Sequence, residues 1–386
     1  MKKFITITLI LLLTIELGCS PKVTPAVDLQ DGSSGIREDL TSIEVVKDMG
    51  NGINLGNTME AYGRAWLGIN ASPTQYETAW GQPVTTEEMI KGMKEAGFDT
   101  IRIPVAWTNT MDYQNGDYTI DPAYMARVKE IVDYARANDM YVIINDHWDG
   151  GWWGMFGSAD DETWEKAMDM YVSIWGQISR EFKDYSDYVI FESGNEELGH
   201  RLNDTDIAKD SGTLSEDDCY YMANVINQNF ITVVRNSGGN NAKRFLLIAG
   251  FDTDINYTCD PRFNMPKDTV ENRLLISVHY YDPTPYTIMY WTDDWGTDED
   301  KAYMKMQLNK MQGFTKSGYG VVIGEYGVQS QDGATIRPNT YEYMEEFLGE
   351  CDTHEYCPIL WDCNFLYDKN TYSMINEDIA NIYLNR

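Results

Sequence analysis

Eight short apolar segments recur along this 386-residue chain, and their spacing limits the folds it can adopt. They occupy residues 52–55, 100–104, 141–145, 188–192, 245–249, 274–279, 321–324 and 358–361. Short apolar runs bounded by glycine and polar residues are typical of buried parallel strands. Helical patterns separate them, so strand and helix alternate eight times. This alternation predicts an α/β protein with a closed (β/α)₈ barrel, the TIM-barrel fold, with an open eight-stranded sheet as the alternative.

Two of the helices between these segments have recognisable starts. Asp121 followed by Pro122 predicts an N-cap and a first-turn proline. Thr85 and Glu88 predict a capping box at the start of an earlier helix. No Pro/Gly/Ser-rich break divides residues 39–386, so we expect them to form one domain.

The first 38 residues differ in character from the rest of the chain. Residues 1–19 combine a charged start with an apolar stretch that is too short to span a membrane, as in a secretory signal peptide. Leu17-Gly18-Cys19 resembles a bacterial lipoprotein processing site, which would leave a lipid on Cys19 and residues 20–38 as a linker. An ordinary cleaved signal with an incidental cysteine is the alternative. We therefore expect an exported protein whose only membrane attachment is that lipid.

Charge, cysteine and histidine content limit the partners, disulfide bridges and cofactors that we expect. A formal net charge of −31 argues against nucleic acid and against docking on anionic lipid, whereas a neutral polymer remains compatible. Five cysteines follow Cys19, so at least one thiol stays free, and a bridge such as Cys351 with Cys357 is permitted but not required. The four histidines show no zinc-binding spacing, so we expect neither a metal nor another cofactor. We also expect the chain to act as a monomer.

Two glutamates stand at the ends of predicted strands. Glu196 closes the segment Tyr188-Val-Ile-Phe-Glu-Ser-Gly-Asn-Glu, and Glu325 closes Tyr319-Gly-Val-Val-Ile-Gly-Glu. In a barrel enzyme the catalytic groups lie at the carboxyl ends of the strands. Cleavage of a glycosidic bond requires a pair of carboxyl groups. The two glutamates therefore predict a glycoside hydrolase.

Several sequence blocks resemble glycoside hydrolase family 5, and most closely its subfamily 4. The blocks are Asn54-Leu-Gly-Asn-Thr, Glu77-Thr-Ala-Trp-Gly-Gln-Pro-Val-Thr-Thr, Ile101-Arg-Ile-Pro-Val-Ala-Trp, Gly238-Gly-Asn-Asn-Ala-Lys-Arg-Phe-Leu, Val278-His-Tyr-Tyr and Val322-Ile-Gly-Glu-Tyr-Gly. The resemblance covers about residues 45 to 386. It implies a (β/α)₈ barrel that cleaves β-glycans with retention of configuration.

The resemblance also implies roles for individual residues. Glu196 would be the general acid/base and Glu325 the nucleophile. The remaining positions would bind the substrate or hold the nucleophile: Asn57, Arg102, His147, Asn195, His279, Tyr281 and Trp361. We expect the ionised nucleophile to raise the pKa of the acid/base, which would keep that group protonated.

Two departures from the family pattern affect this transfer. Glu197 stands where family members usually have proline, and it would raise the pKa of Glu196 further if it faces the site. Trp148 follows His147 where paired histidines are more usual, so that only His147 is transferred.

Other candidates have a structural interpretation beside the functional one. Glu192 is expected to be a hydrogen-bonded residue of the barrel interior rather than a third catalyst. Four loop tryptophans could be sugar platforms or could pack on neighbouring loops: Trp152, Trp153, Trp291 and Trp295. The sequence predicts an endo-β-1,4-glucanase acting on cellulose, mixed-linkage glucan or xyloglucan. The alternatives are a β-mannanase, a strictly xyloglucan-specific enzyme, or a glycan-binding barrel without catalysis.

Overall fold

The computed structural model describes residues 35–330 and 335–386. The predicted signal peptide, Cys19 and most of the predicted linker lie outside these residues. Within them, eight parallel strands form one closed barrel in the order β1 to β8. The strands are β1 Gly52–Asn54, β2 Thr100–Ile103, β3 Tyr141–Ile144, β4 Val189–Glu192, β5 Leu246–Asp254, β6 Leu274–Tyr280, β7 Gly320–Tyr326 and β8 Cys357–Leu360. The barrel closes because β1 pairs with β2 on one side and with β8 on the other.

This closure confirms the predicted (β/α)₈ barrel and excludes the open sheet. Helices follow the strands around the outside. They are α1 Ser42–Asp48, α2 Arg64–Leu67, α3 Pro73–Glu77, α4 Glu87–Glu95, α5 Pro122–Ala137, α6 Asp161–Glu181, α7 Glu216–Asn236, α8 Ile255–Thr258, α9 Thr284–Thr287, α10 Asp298–Lys310, α11 Gln312–Lys316, α12 Thr340–His354 and α13 Glu377–Leu384. Five 3₁₀ segments, Trp107–Thr110, Tyr113–Asn115, Asp149–Gly157, His200–Asn203 and Gly239–Ala242, and a two-stranded hairpin, β9 Tyr367–Asp368 with β10 Ser373–Met374, complete the described elements.

Side chains of the strands alternate between two environments, as the period of two requires. In β2, Ile101 and Ile103 belong to the apolar core between the barrel and its helices. Arg102, between them, points into the barrel, where it contacts side chains from β1, β4 and β7. The inward-facing residues at the carboxyl end of the barrel are thus polar, and they form the floor of the site described below.

Helix α1 closes the opposite end of the barrel. Its residues Val45 and Val46, with Met49 just beyond it, join an apolar cluster with inward-facing strand residues such as Ile143 and Leu247. Thr41 caps the helix through a capping box with Glu44. The barrel therefore has one closed, apolar end and one open, polar end.

The first described residues are anchored at this closed end. The Arg37 guanidinium bonds Asp187 at 3.0 Å, Asp48 at 2.9 Å and the Tyr141 hydroxyl at 2.6 Å. Tyr141 begins β3 and Asp187 precedes β4, so these contacts lie at the amino-terminal ends of the strands. The chain enters the barrel on the face opposite the strand ends that carry Glu196 and Glu325.

The helix starts were predicted with mixed success. Asp121 caps α5, and Pro122 occupies the first turn, as expected. The cap of α4 is Thr86 rather than Thr85, which was wrong by one residue. The main-chain N–H of Thr85 instead donates to the buried Glu77 carboxylate at 2.6 Å. That contact with a residue eight positions earlier extends the preceding loop and moves the helix start.

The cysteines of the described chain are all free, including Cys351 and Cys357, so that the permitted bridge is not formed. Among residues 35–330 and 335–386, no helix is both long enough and apolar enough to cross a lipid bilayer.

Candidate active site

The open end of the barrel brings together polar residues that are far apart in the sequence. Arg102 lies in β2, Glu196 follows β4, His279 lies in β6 and Glu325 lies in β7. Parallel strands present their carboxyl ends on the same rim, so residues separated by more than 200 positions become neighbours. The grouping predicted from the strand ends is the one the structure shows.

Glu325 is buried and held by two side chains. Arg102 Nη1 donates to Glu325 Oε1 at 2.9 Å, and the Tyr281 hydroxyl donates to Oε2 at 3.1 Å. These bonds fix the plane of the carboxylate. A carboxylate fixed in this way is poised to attack an atom in front of it.

Arg102 is fully buried and bonds four acceptors. Besides Glu325, its guanidinium donates to Glu192 at 2.7 Å, to Asn54 Oδ1 at 3.0 Å and to Asn195 Oδ1 at 2.9 Å. Its positive charge thus compensates two buried carboxylates, as burial of ionised groups requires. Glu192 is fully buried in the barrel interior, in agreement with its predicted structural role.

Glu196 faces Glu325 across the open end. Its side chain is 41% exposed, and Glu196 Oε1 lies 3.0 Å from His279 Nδ1. The same nitrogen lies 3.6 Å from Glu325 Oε2. One oxygen of each carboxylate and one ring nitrogen of His279 all lie within 4.8 Å of one another. This separation is near the ~5–5.5 Å typical of retaining glycosidases and well below the ~6.5–9.5 Å of inverting ones.

His279 reverses the expected order of the pKa values. Burial raises the pKa of Glu325, and the charges of His279 and Arg102 offset this only in part. Burial is the largest single effect on Glu196 and acts to raise its pKa, but the hydrogen bond and charge of His279, together with the charges of Arg201 and Arg102, outweigh it and the pKa is lowered. The pKa of His279 is raised, since both carboxylates outweigh its burial. The prediction of a raised pKa for Glu196 was therefore wrong for the free protein, because a histidine separates the two glutamates.

The same three residues are the one group in the described chain with metal-ligand chemistry. Arg102 already supplies positive charge to Glu325, and Tyr281 occupies the second oxygen. A cation between the carboxylates would be repelled by this guanidinium. The arrangement suits an acid and a nucleophile better than a metal centre.

His147 and Trp361 form an aromatic wall of the site. Their rings are parallel within 7°, with centroids 5.8 Å apart. His147 Nδ1 lies 3.2 Å from the Asn145 amide, and burial followed by the charge of Arg102 lowers its pKa, which keeps the ring neutral. Faces of pyranose rings expose C–H bonds that pack well on such aromatic surfaces.

A buried lysine connects the two loops that hold Asn57 and Trp361. Lys369 Nζ donates to the Gly56 carbonyl at 2.6 Å and lies 3.3 Å from Thr58 Oγ1. Asn57 is half-buried, has a left-handed backbone with φ of 58°, and its N–H donates to the Glu60 carboxylate. The loop after β1 is thereby fixed against the segment that follows β8.

Glu197 is buried and bonded to two neighbouring side chains. Its carboxylate accepts from Arg201 at 2.8 Å and from the Asn195 amide at 3.3 Å. Burial raises the pKa of Glu197 to about 7, against the opposing charge of Arg201. This residue therefore supports the Asn195 amide and pairs with Arg201.

The loop tryptophans divide into packing and exposed residues. Trp152 and Trp153 are buried and stacked at 4.5 Å, and Trp295 is buried beside Tyr343. These three pack against other side chains of the protein, in their own loop or in a neighbouring helix, and are not sugar platforms. Trp291 is 74% exposed and remains available to a ligand.

A second aromatic group extends the wall formed by His147 and Trp361. Trp148 follows His147 in the chain and lies 6.4 Å from Trp80 and 5.8 Å from Tyr62, between ring centroids. Trp80 is 37% exposed. The departure from paired histidines thus adds an indole to the cleft wall.

Sequence reasoning missed some contributors to the site. Asn54 ends β1 and orients Arg102, and the strand-end rule could have identified it. His200 and Arg201 belong to the 3₁₀ turn after Glu196, which has no recognisable motif. Their positions became visible only in the folded structure.

Comparison with known proteins places this geometry in a family. Residues 60–365 match the family described as Cellulase (glycosyl hydrolase family 5). The chain is 32% identical over 371 residues to the xyloglucan-specific endo-β-1,4-glucanase of Bacteroides ovatus, covering 90% of this chain and 70% of that protein. It is 35% identical over 334 residues to endoglucanase B of Clostridium cellulovorans, covering 85% of this chain and 69% of that one.

Solved structures agree with these matches. A subfamily 4 broad-specificity endoglucanase from Ruminococcus champanellensis, with bound cellotriose, superposes with a TM-score of 0.78 at 29% identity, covering 90% of this chain and 99% of that one. The Bacteroides ovatus xyloglucanase in complex with a heptasaccharide gives a TM-score of 0.77 at 30% identity, covering 90% and 77%. The barrel, the paired carboxylates and these similarities lead to one conclusion: the chain belongs to glycoside hydrolase family 5.

Proposed function

We propose that this protein is a retaining endo-β-1,4-glucanase that hydrolyses internal bonds of a neutral β-glucan. The observation that carries the proposal is the pair Glu196 and Glu325, with facing oxygens within 4.8 Å. At this separation one carboxylate can attack the anomeric carbon while the other reaches the leaving oxygen. An inverting mechanism needs carboxyl groups ~6.5–9.5 Å apart, so that the attacking water and the sugar both fit between them.

In the first step, Glu325 attacks the anomeric carbon and the glycosidic bond breaks. A covalent glycosyl-enzyme forms, and Glu196 protonates the departing oxygen. Arg102 and Tyr281 hold Glu325 in its attacking orientation. The amide of Asn195, fixed between Arg102 and Glu197, would face the hydroxyl next to the reacting carbon.

The proton required for this step is stored between His279 and Glu196. The two groups share it along the 3.0 Å contact, either as an imidazolium with a carboxylate or as an imidazole with a carboxylic acid. A bound sugar displaces water from the cleft, and loss of water disfavours the charged pair. Substrate binding thus shifts the proton to Glu196, where the chemistry needs it.

In the second step, Glu196 acts as the base. It removes a proton from a water molecule, which attacks the glycosyl-enzyme and releases Glu325. Two successive inversions give net retention at the anomeric carbon.

The proposed substrates are cellulose, xyloglucan and mixed-linkage glucan. The Bacteroides ovatus relative is named for xyloglucan, and the subfamily 4 structure from Ruminococcus champanellensis is named for broad specificity. A cleft wall that runs from Trp361 past Trp148 to Trp80 suits a chain of several sugars, as endo action requires. The net charge of −31 is compatible with an uncharged polymer.

The activity is tested by reducing-sugar release from xyloglucan, mixed-linkage β-glucan, carboxymethylcellulose and mannan in parallel. We expect release from at least one of the glucans and none from mannan. Glu325→Gln, which keeps the shape of the side chain, should release nothing and should still bind the polymer. Binding by the unchanged protein without release from any of the four polymers would identify a glycan-binding barrel instead.

We also propose that the protein is exported and tethered through a lipid on Cys19. The charged and apolar start of the chain, the Leu17-Gly18-Cys19 sequence and the polar residues after it support this proposal. A Cys19→Ser protein should move from the membrane fraction to the soluble fraction of the host cell. Equal membrane association of both proteins would reject the lipid.

A further inference from the structure

We propose that His200 and Arg201 bind the sugar on the leaving-group side of the cleavage point, where they determine which chains are cleaved. The inference rests on the proposed function and adds to it two residues outside the family motifs. Both lie in the 3₁₀ turn His200–Asn203, which begins four residues after Glu196.

The order of the strands places this turn on the leaving-group side. Trp361 and Asn57 follow β8 and β1, which are adjacent in the closed barrel, whereas β4 and β5 lie diametrically opposite. The aromatic wall by Trp361 receives the sugar whose anomeric carbon Glu325 attacks. Glu196 must face the leaving oxygen, so the departing sugar extends towards the loops after β4 and β5. The turn that holds His200 and Arg201 is one of these loops.

His200 is fixed with one ring nitrogen directed at a carboxylate. His200 Nδ1 lies 2.5 Å from Asp252 Oδ2, and its main-chain N–H donates to Asp252 Oδ1 at 2.7 Å. The ring also packs edge-on against Phe251 and Tyr257, both with centroids 5.0 Å away. Gly199 permits this close approach, because a Cβ there would lie 2.0 Å from Asp252 Oδ1.

The second ring nitrogen of His200 is left for a ligand. Nε2 makes no hydrogen bond to the residues that the structure describes, and the His200 side chain is 42% exposed. When Asp252 fixes Nδ1 as the donor, Nε2 of the neutral ring presents an acceptor. A sugar hydroxyl is a donor that such an acceptor can bind.

The guanidinium of Arg201 is fixed by two carboxylates. Nη1 donates to Glu197 at 2.8 Å and Nε donates to Asp204 at 3.1 Å. Nη2 has no hydrogen bond within the described part of the chain, and the side chain is 39% exposed. Glu197 adjoins Glu196 in the chain and also bonds the Asn195 amide, so the guanidinium lies close to the reacting groups.

The two side chains together offer what a neutral sugar ring needs. The free Nη2 of Arg201 donates to hydroxyl or ring oxygens, and Nε2 of His200 accepts from a hydroxyl. Both are already ordered by Asp252, Glu197 and Asp204, so binding costs little side-chain entropy. Glu197, the departure from the family proline, has the physical role of anchoring Arg201 here.

The test compares two substrates that share their glycone but differ in their leaving groups. Cleavage of cellohexaose releases a sugar as the leaving group. Cleavage of an aryl β-cellotrioside releases a phenolate, so this substrate has no sugar beyond the cleavage point. For Arg201→Met and for His200→Phe, which keeps the aromatic packing, we expect kcat/KM on cellohexaose to fall about fivefold to tenfold, the loss of one hydrogen bond. The fall on the aryl cellotrioside should be at most a small fraction of that.

Controls separate this result from damage to the fold. Arg180→Met changes an exposed arginine near the end of α6, far from the open end, and should leave both values unchanged. Glu197→Gln/Arg201→Met avoids leaving a buried carboxylate unpaired, and thermal unfolding reports the stability of each variant. Equal losses on both substrates, or no loss on cellohexaose, would overturn the inference. An unchanged protein that is inactive on both substrates would instead refute the proposed function.

Discussion

Tyr281 shows how much a single hydroxyl contributes to this site. Its O–H donates to Glu325 Oε2, and the residue is half-buried beside the nucleophile. Tyr281→Phe keeps the ring and removes one hydrogen bond to a charged group. We expect kcat on β-glucan to fall about tenfold to a hundredfold with little change in KM.

Tyr341→Phe is the matched control for this change. Tyr341 also bonds a glutamate, Glu345 at 2.9 Å, but it is exposed on α12. The control should retain full activity. Similar kinetics for both variants would show that the Tyr281 hydroxyl does not act on the nucleophile.

Individual residues differ in how far the sequence reveals them. Glu196, Glu325 and Arg102 could be predicted because strand ends of a barrel converge on one rim. The paired role of Glu197 and Arg201 could not, since it depends on how a loop without a motif folds back. The pKa order of the two glutamates also required the structure, because it is set by the distance of His279 from both.

At the scale of elements, Lys369 joins the segments after β1 and β8. It is almost fully buried, and the charges of Asp362 and Glu60 act on its ammonium group. Lys369→Met would leave these carboxyl groups buried without a cation. We expect the free energy of unfolding to fall by about 3 kcal/mol or more, and KM for β-glucan to rise because Asn57 and Trp361 lose their support.

Urea unfolding and steady-state kinetics measure the two effects separately. Lys91→Met, on the exposed face of α4, serves as the control and should change neither quantity. A Lys369→Met protein with the stability and KM of the unchanged chain would show that the two loops are held by other contacts.

The elements themselves were largely predictable, and their limits were less so. All eight strands were located from apolar runs, yet β5 continues to Asp254, five residues past the predicted end at position 249. Its irregular extension pairs with His279 of β6 across a shift in register. Such an extension depends on a neighbouring strand, which the pattern of one segment does not show. The displaced cap at Thr86 has the same kind of cause, a contact with Glu77.

For the molecule as a whole, buried acids make stability depend on pH. Burial raises the pKa of Asp149 to about 6 and that of Glu197 to about 7, and it also raises that of Asp146. In the unfolded chain such groups titrate near ~4. The folded protein therefore holds more protons than the unfolded chain between about pH 4 and pH 7, and the free energy of unfolding falls as pH rises through this window.

We expect urea unfolding to give a higher free energy at pH 5.5 than at pH 8, with a contribution on the order of 2 kcal/mol from Glu197 alone. Glu197→Gln should flatten the dependence, since it removes one of these acids. Partly exposed acids such as Asp260, whose pKa is lowered to about 2, titrate below the window and do not affect the comparison. A stability that rises from pH 5.5 to pH 8 would contradict the assignment.

The anchoring of Arg37 at the closed end of the barrel determines how the active-site cleft is oriented when the protein is attached to a surface through its N-terminal segment. An attachment made through the segment before residue 37 pulls on the face that α1 seals, so the groove between the aromatic wall and the acid/base turns outward. A layer of such molecules grafted onto a bead in this orientation would expose its active-site clefts to the solution. It would then cleave fibres that are too large to diffuse between the grafted molecules.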